Sequence, residues 1–252
     1  MRTKTLLAAA LLALAALAPR PAAAVDLALV LLTDVSGSMG DDDFAMVKAG
    51  YKAAFADPEV MAAVRANGGG IAVAYVEFSG EGETKVVKGW DLLTDEASTR
   101  AFGAAVADAP RSFRGNTALA ASLREATRLL EAGDFGSARR IIDIASDHPT
   151  DGGRSAPVRD AAVAAGITIN ALPIVDGRIV GTYDGHMSYS AWQPGQGGIM
   201  AFYRRDVIGG AGSFALAAHD YSAFGEALKR KLLLEIAGRR EHRHVPLQLA
   251  AE

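Results

Sequence analysis

The 252-residue sequence contains no cysteine, so its fold depends on no disulfide bond, and cysteine cannot serve as a metal ligand. An excess of basic residues is also absent, since 26 Lys and Arg stand against 29 Asp and Glu. This balance argues against nucleic acid as a partner. After residue 24 no apolar run approaches the roughly 20 residues that a membrane-spanning helix needs.

The first 24 residues have the pattern of a secretory signal peptide. Arg2 and Lys4 precede an apolar run of 12 residues, and three alanines end the segment at Ala24. The alternative, a membrane anchor, is disfavoured because the run is too short to span a bilayer. We expect cleavage after Ala24 and a soluble mature chain of formal net charge −6 in the periplasm or outside the cell.

From residue 25 onward, strand-like and helix-like segments alternate. The strand-like segments are 27–33, 71–78, 84–90, 140–146, 167–175 and 213–218, and the helix-like segments are 41–55, 98–108, 119–130, 156–165 and 221–237. This alternation predicts an α/β fold with one doubly wound, mostly parallel sheet, helices on both faces and an antiparallel edge strand. We expect one domain over 25–237, a long loop or insertion at 176–198 and a flexible tail at 238–252.

In a sheet of this kind, ligands bind beyond the carboxyl ends of the strands. The first predicted strand is followed by Asp34, Ser36 and Ser38. Their alternating positions in one turn allow three side-chain oxygens to face a common point. Oxygen ligands are those that Mg²⁺ or Mn²⁺ selects, although the same short pattern also occurs in loops that cap helices.

The Asp-x-Ser-x-Ser spacing resembles the metal-ion-dependent adhesion site of the von Willebrand factor type A superfamily. The resemblance covers about residues 25–237 and implies a threonine ligand from a second loop and an aspartate from a third. Gly115-Asn116-Thr117, at the start of a helix-like segment, matches the family's Gly-x-Thr element. It makes Thr117 the expected second-loop ligand.

Two aspartates compete for the third-loop position. Asp147 follows the strand-like segment 140–146 directly, whereas Asp151 lies in a Thr-Asp-Gly string that copies the family's usual motif. We favour Asp147 because of its position at the strand end, with Asp151 as the alternative. Asp143 lies roughly 13 Å before Asp147 along the strand and is expected to be paired structurally.

Within the superfamily, the chain resembles a family of exported bacterial proteins of unknown function. The matching segments are 25–26, 165–170, 172–174, 207–210 and the Lys-Leu-Leu-Leu-Glu-Ile string of the last helix. The sequence departs from that family where His148-Pro149 follows Asp147 in place of glycine, and in the length of 176–198.

The resemblance implies a site that binds one cation through five side chains, namely Asp34, Ser36, Ser38, Thr117 and Asp147. A coordination position left open would accept a carboxylate from a protein or peptide partner, without chemical turnover. One alternative is a metal-dependent hydrolase, for which His148 is the candidate general base. Another is a structural or assembly subunit of an envelope complex.

Several other residues have weaker signals. His186, His219, His242 and His244 lack the spacing of a zinc site and are expected at the surface. The aromatic-rich segment 183–192 is either a recognition surface or a flexible insertion. No nucleophile elbow and no phosphate-binding loop occurs in the sequence.

Overall fold

The computed structural model describes residues 25–148, 154–175, 179–183, 186–189 and 198–238. The predicted signal peptide, Asp151 and nearly all of the predicted tail lie outside the described residues. Within the described residues no helix has both the length and the apolar character needed to cross a membrane.

The chain forms seven strands and seven α-helices in these described parts. The strands are β1 (Leu27–Asp34), β2 (Ile71–Phe78), β3 (Thr84–Leu93), β4 (Arg139–Ser146), β5 (Ile167–Pro173), β6 (Ile179–Tyr183) and β7 (His186–Tyr189). The helices are α1 (Asp41–Phe55), α2 (Pro58–Ala66), α3 (Glu96–Asp108), α4 (Leu119–Glu131), α5 (Ser155–Ala164), α6 (Gly198–Phe202) and α7 (Phe224–Ala237). A π-helical turn, Tyr203–Val207, continues α6.

The central sheet has five strands in the order β3-β2-β1-β4-β5. Strand β1 is parallel to β2 and β4, and β4 is parallel to β5, whereas β3 is antiparallel to β2 at one edge. The predicted fold class, a mostly parallel sheet with an antiparallel edge strand, is confirmed.

Helices cover both faces of this sheet, which explains why β1 is apolar along its whole length. Alternate residues of β1 point to opposite faces, so that Leu27, Leu29 and Leu31 pack in one layer and Ala28, Val30 and Leu32 in the other. The first layer contains side chains of α1, α2, α3 and α7, and the second contains those of α4, α5 and α6.

The structure differs from the sequence predictions in three places. Helix α2 was not predicted, although it begins with Pro58 after Asp57, whose side chain accepts a hydrogen bond from the Glu59 N–H at 2.8 Å. The expected loop at 176–198 contains the β6–β7 hairpin. The expected strand 213–218 makes only two isolated parallel bridges, from Ala215 to Ala171 of β5 and from Ala218 to Ile174 just beyond it.

The sheet topology places the carboxyl ends of β1 and β4 side by side. The chain leaves β1 towards β2 and later returns on the other side of β1 as β4, so the strand order reverses between these two strands. Such reversal points form crevices at the carboxyl edge of an open sheet. Residues that follow β1 and β4 therefore face one crevice.

Helices α1 and α7 pack closely through two glycines. A Cβ atom added to Gly50 would lie 2.7 Å from the Phe224 ring and 3.1 Å from the Gly225 Cα. These distances leave no space for a side chain at the crossing of the two helices.

We predict that Gly50→Val lowers the free energy of unfolding by about 1–3 kcal/mol, because the new side chain overpacks the α1–α7 contact. Denaturant unfolding measures the change. The control is Gly68→Val, since an added Cβ at Gly68 has no heavy atom within 4 Å; its effect should stay within about 0.5 kcal/mol. Equal losses in the two variants would contradict the packing argument.

Candidate metal centre

Asp34, the last residue of β1, is fully buried and has hydrogen bonds at both carboxylate oxygens. The Ser36 N–H donates to its Oδ1 at 2.8 Å, and the Ser146 hydroxyl donates to its Oδ2 at 2.6 Å. The first bond belongs to the turn after β1, and the second joins β1 to the end of β4. The side chain of Asp34 is thereby fixed in orientation.

A chain of hydroxyl groups connects the three loops predicted to form the site. The Thr117 hydroxyl donates to Ser36 Oγ at 3.0 Å, and Ser36 Oγ lies 3.1 Å from Ser38 Oγ. The Ser38 hydroxyl in turn donates to Asp147 Oδ1 at 3.0 Å. Together with Asp34, which the Ser36 amide contacts, all five residues named from the sequence meet in one place.

Asp147 is the third-loop aspartate that the structure brings to this cluster, where it is 1% exposed. Its second oxygen, Oδ2, accepts a hydrogen bond from the Tyr221 hydroxyl at 2.8 Å. Tyr221 lies just before α7, so the last helix of the domain is connected to the site. The competing residue, Asp151, lies outside the described residues.

The first and second loops are held together by their backbones. The Gly37 N–H donates to the Gly115 carbonyl at 2.8 Å. A Cβ atom at Gly37 would lie 2.9 Å from the Arg114 carbonyl oxygen, so the approach requires glycine between the two serines.

Arg111 from the second loop fixes the course of the first loop. Its guanidinium group, 6% exposed, donates to the carbonyl oxygens of Val35, Ser36 and Met39 at 2.5–3.1 Å. It also donates to the carbonyl of its own loop at Phe113, at 3.0 Å. One side chain thus supplies donors for three carbonyl oxygens of the turn after β1.

The second loop is anchored in turn to β2. Glu77 is fully buried, accepts a hydrogen bond from the Ser112 N–H at 2.8 Å and pairs with Lys48 of α1 at 2.9 Å. Beyond the end of β2, the Ser79 hydroxyl donates to the Asn116 carbonyl at 2.9 Å. These bonds fix the loop that leads to Thr117.

The two carboxylates of the site are close enough to affect each other. Burial, together with the negative charge of Asp147, raises the pKa of Asp34 to about 7, although hydrogen bonds from Ser146 and Ser36 act in the opposite direction. Burial and Asp147 also raise the pKa of Tyr221, which therefore remains a hydrogen-bond donor. A buried site with two facing acids and a shell of hydroxyls has the electrostatic character of a cation site.

This cluster differs from a metal site built from charged side chains alone. Among the described residues, no three His, Cys, Asp or Glu side chains converge in a way that could hold a metal ion. A cation here would depend on hydroxyl oxygens as well as on two carboxylates. Such oxygen-only sets suit hard divalent cations and do not favour soft metals.

Sequence reasoning missed three residues that support the predicted cluster: Ser146, Tyr221 and Arg111. Ser146 is the last residue of the strand-like segment 140–146, and Tyr221 is the first residue of the helix-like segment 221–237. Arg111 lies between two helix-like segments, where the sequence does not indicate its role. The role of Ser146 could have been inferred from its position at a strand end, directly before Asp147. The contacts of Tyr221 and Arg111 depend on tertiary structure and have no such local signal.

A family model described as "Protein of unknown function (DUF1194)" matches residues 24–240. No curated protein matches the chain.

Solved structures with this fold include binding and matrix proteins. The pilus adhesin SpaC from Lactobacillus rhamnosus GG matches with a TM-score of 0.58 and 15% identity over 84% of this chain and 30% of that protein. A von Willebrand factor type A protein from Catenulispora acidiphila matches with a TM-score of 0.56 and 16% identity over 84% of this chain and 43% of its own.

Proximal thread matrix protein 1 from the mussel byssus, solved with a zinc-occupied MIDAS motif, matches with a TM-score of 0.56 and 14% identity over 85% of this chain and 46% of its own. This chain spans less than half the length of each of these three proteins. The similarity shows the von Willebrand factor type A-like fold, which the sequence motifs had predicted.

We predict that, with chelator present, the part of the stability that depends on Asp34 decreases as the pH rises from about 4 to about 7. The folded state holds a proton on Asp34 up to its pKa of about 7, whereas the unfolded carboxyl loses its proton at about pH 4. Denaturant unfolding should show a slope of roughly 1 kcal/mol per pH unit from this group.

The matched variants are Asp34→Asn, which should lose this part of the slope, and Asp42→Asn at an exposed position, which should keep it. If the wild type and Asp34→Asn have the same pH dependence, the proton is not held at Asp34.

Proposed function

The chain belongs to the DUF1194 family of proteins of unknown function, and we propose that it is an adhesion-type binding protein that recognises a partner's carboxylate through a divalent cation. The observation that carries the proposal is the convergence of Asp34 and Asp147, both at most 1% exposed, on hydroxyls from three loops. Two facing buried carboxylates are unfavourable unless a proton or a cation lies between them.

The residues present fit a hard cation. Asp34 and Asp147 would supply two formal negative charges, and Ser36, Ser38 and Thr117 would supply neutral oxygens. A hydroxyl can turn its lone pair towards an ion and its proton away from it, so the present hydrogen bonds do not oppose binding. We propose Mg²⁺, with Mn²⁺ as the alternative, because all five ligands are oxygens.

The site is closed towards the sheet and open towards solvent. Asp34 and Ser36 are buried, whereas Ser38 and Thr117 are half-buried and Gly37 is exposed. An incoming ligand would therefore approach from the side of the serine turn and the second loop. The open side is where a cation could accept an oxygen from another molecule.

The local charge favours an anionic ligand once a cation is bound. A divalent ion neutralises the two carboxylates, and the guanidinium of Arg111 lies directly behind the serine turn. Arg114, whose side chain is 61% exposed, lies beside the second loop and pairs with Asp41 of α1. We propose that the ligand is an Asp, Glu or C-terminal carboxylate of a protein or peptide.

We further propose that the described domain, residues 25–237, functions outside the cytoplasm after removal of residues 1–24. The supporting observation is the basic, apolar and small-residue order of that segment. An exported protein of this type would meet its partner in the periplasm or at the cell surface.

A metal-dependent hydrolase is the less favoured alternative. It needs a general base near the ion, and His148 is the neighbouring candidate. The backbone of His148 is hydrogen-bonded to the Ser146 hydroxyl, and its carbonyl also accepts from the Tyr203 hydroxyl. A structural subunit, in which the cation only stabilises the fold, would show metal-dependent melting without partner capture.

We predict that Mg²⁺ binds the wild-type protein and that Asp34→Asn weakens this binding by at least about 100-fold, because a charged ligand is lost. Tyr221→Phe and Ser146→Ala should weaken it by about 10- to 100-fold, since each removes a hydrogen bond that orients a carboxylate. Isothermal titration calorimetry measures these affinities. Asp42→Asn, an exposed acid at the start of α1, is the control and should bind normally; heat absent from the wild type with both Mg²⁺ and Mn²⁺ would refute the metal site.

We predict that the immobilised protein retains peptides that carry Asp or Glu in the presence of Mg²⁺ and releases them with chelator. With all peptides amidated at the C-terminus, those with Asn or Gln at the same position should not be retained, because a neutral amide is a weak ligand for the ion. Ser36→Ala should lose retention, whereas Asp42→Asn should keep it. Equal retention with and without chelator would rule out the proposed mechanism, even if calorimetry detects a metal ion.

A further inference from the structure

A second cluster of buried charged groups lies in the interior, apart from the metal centre. It consists of Asp143 in the middle of β4 and of Lys231 and Glu235, one turn apart on α7. All three side chains are at most 2% exposed. Lys231 Nζ lies 2.5 Å from Asp143 Oδ1 and 2.5 Å from Glu235 Oε1.

The charges of this cluster do not balance if all three groups are ionised. One ammonium faces two carboxylates in an apolar layer, so the surroundings favour a protonated carboxyl group. Burial and, as the second cause, the negative charge of Asp143 raise the pKa of Glu235 to about 7. A proton on Glu235 leaves one ammonium facing one carboxylate, so that the charges of the cluster balance.

The two contacts of Lys231 differ in geometry. Its Nζ donates a hydrogen bond to Glu235 Oε1. Among the described residues, by contrast, neither oxygen of Asp143 has a hydrogen-bond partner, although Nζ lies 2.5 Å from one of them. An ion pair at that distance would normally be hydrogen-bonded. The Lys231 nitrogen is therefore in close contact with the Asp143 carboxyl group without the alignment of a hydrogen bond.

We propose that Lys231 and Asp143 form an intramolecular isopeptide bond, with Glu235 as the catalytic acid and base. After a proton passes from Lys231 to Asp143, the amine attacks the Asp143 Cγ and a new N–C bond forms. Protonated Glu235 donates its proton to the departing hydroxyl group and regains one from the nitrogen. One C–O bond breaks and one water molecule leaves, with no oxidant or reductant involved.

The surroundings hold these groups for reaction. The Asn170 side-chain amide donates to Glu235 Oε1 at 2.8 Å, and its carbonyl accepts from the Phe214 N–H at 3.1 Å. Asn170 is thus engaged at both ends and positions the catalytic acid. The ring of Phe214, centred 5.5 Å from Lys231 Nζ, shields the amine from water. Fixed reactants in a dry site reach high effective concentrations, and exclusion of water favours the neutral amide.

Another buried lysine shows what an ordinary ion pair looks like in this protein. Lys48 donates to Glu77 Oε1 at 2.9 Å, and Glu77 Oε2 accepts from the Ser112 N–H. The charges balance one to one, and both carboxylate oxygens have partners. Lys48 is therefore expected to remain unmodified.

Tryptic digestion of the purified full chain followed by mass spectrometry tests the proposal. The expected product is a branched peptide that joins residues 141–154 to residues 231–239, with a mass about 18 Da below the sum of the two peptides. Finding residues 141–154 as a separate unmodified peptide, together with residues 232–239 from cleavage after an unmodified Lys231, would overturn the proposal, whatever the behaviour of any variant.

Variants then identify the roles. Asp143→Ala should abolish the branched peptide, and on a denaturing gel its chain should migrate more slowly than the cross-linked wild type. Glu235→Gln, of equal size, should reduce the cross-linked fraction by at least about tenfold; full cross-linking in this variant would refute the role of Glu235. Lys229→Met, on the same helix but paired with Asp57, is the control and should cross-link as the wild type does.

Discussion

Two buried carboxylates at the ends of adjacent parallel strands are the constraint on which the rest of the candidate site depends. Asp34 and Asp147 lie where the strand order reverses, and their charges are close enough for the pKa of Asp34 to rise to about 7. A like-charged pair without water is stable only if something neutralises it. The hydroxyl chain through Ser36 holds the pair in place and remains able to coordinate an ion.

The support around this pair extends to every layer of the fold. Arg111 and the buried Glu77 fix the loops from one side, and the Tyr221 hydroxyl connects the site to the segment before α7. Because each bond joins elements that are distant in sequence, the site forms only when the whole domain has folded. Binding of an ion that fits this arrangement would in turn stabilise the packed sheet and the last helix.

The two candidate carboxylate ligands, Asp34 and Asp147, could be located from the sequence because they lie at the ends of strands. Asp34 and Asp147 each end a run of buried apolar residues, and the carboxyl ends of parallel strands meet at one edge. Arg111 and Tyr221 could not be predicted in this way, since their roles depend on where a side chain reaches in three dimensions. Short local signals were also hard to read from the sequence. Asp57-Pro58 begins a helix that was not predicted. The expected strand 213–218 does not form, because Ala215 pairs with β5 only through an isolated bridge.

Two buried pairs of acids within the described residues differ in their surroundings. Asp34 and Asp147 face a crevice that is half open at Ser38, so the missing positive charge can come from solvent as an exchangeable cation. Asp143 and Glu235 face a closed interior, where Lys231 of the same chain supplies the charge. The first pair, buried but next to the half-exposed Ser38, is therefore suited to the proposed exchangeable cation, whereas the second pair has no such opening. Its excess negative charge is removed by a proton. The proposed covalent bond would replace the charges of Lys231 and Asp143 by a neutral amide and would join the centre of the sheet to the last helix in a chain without cysteine.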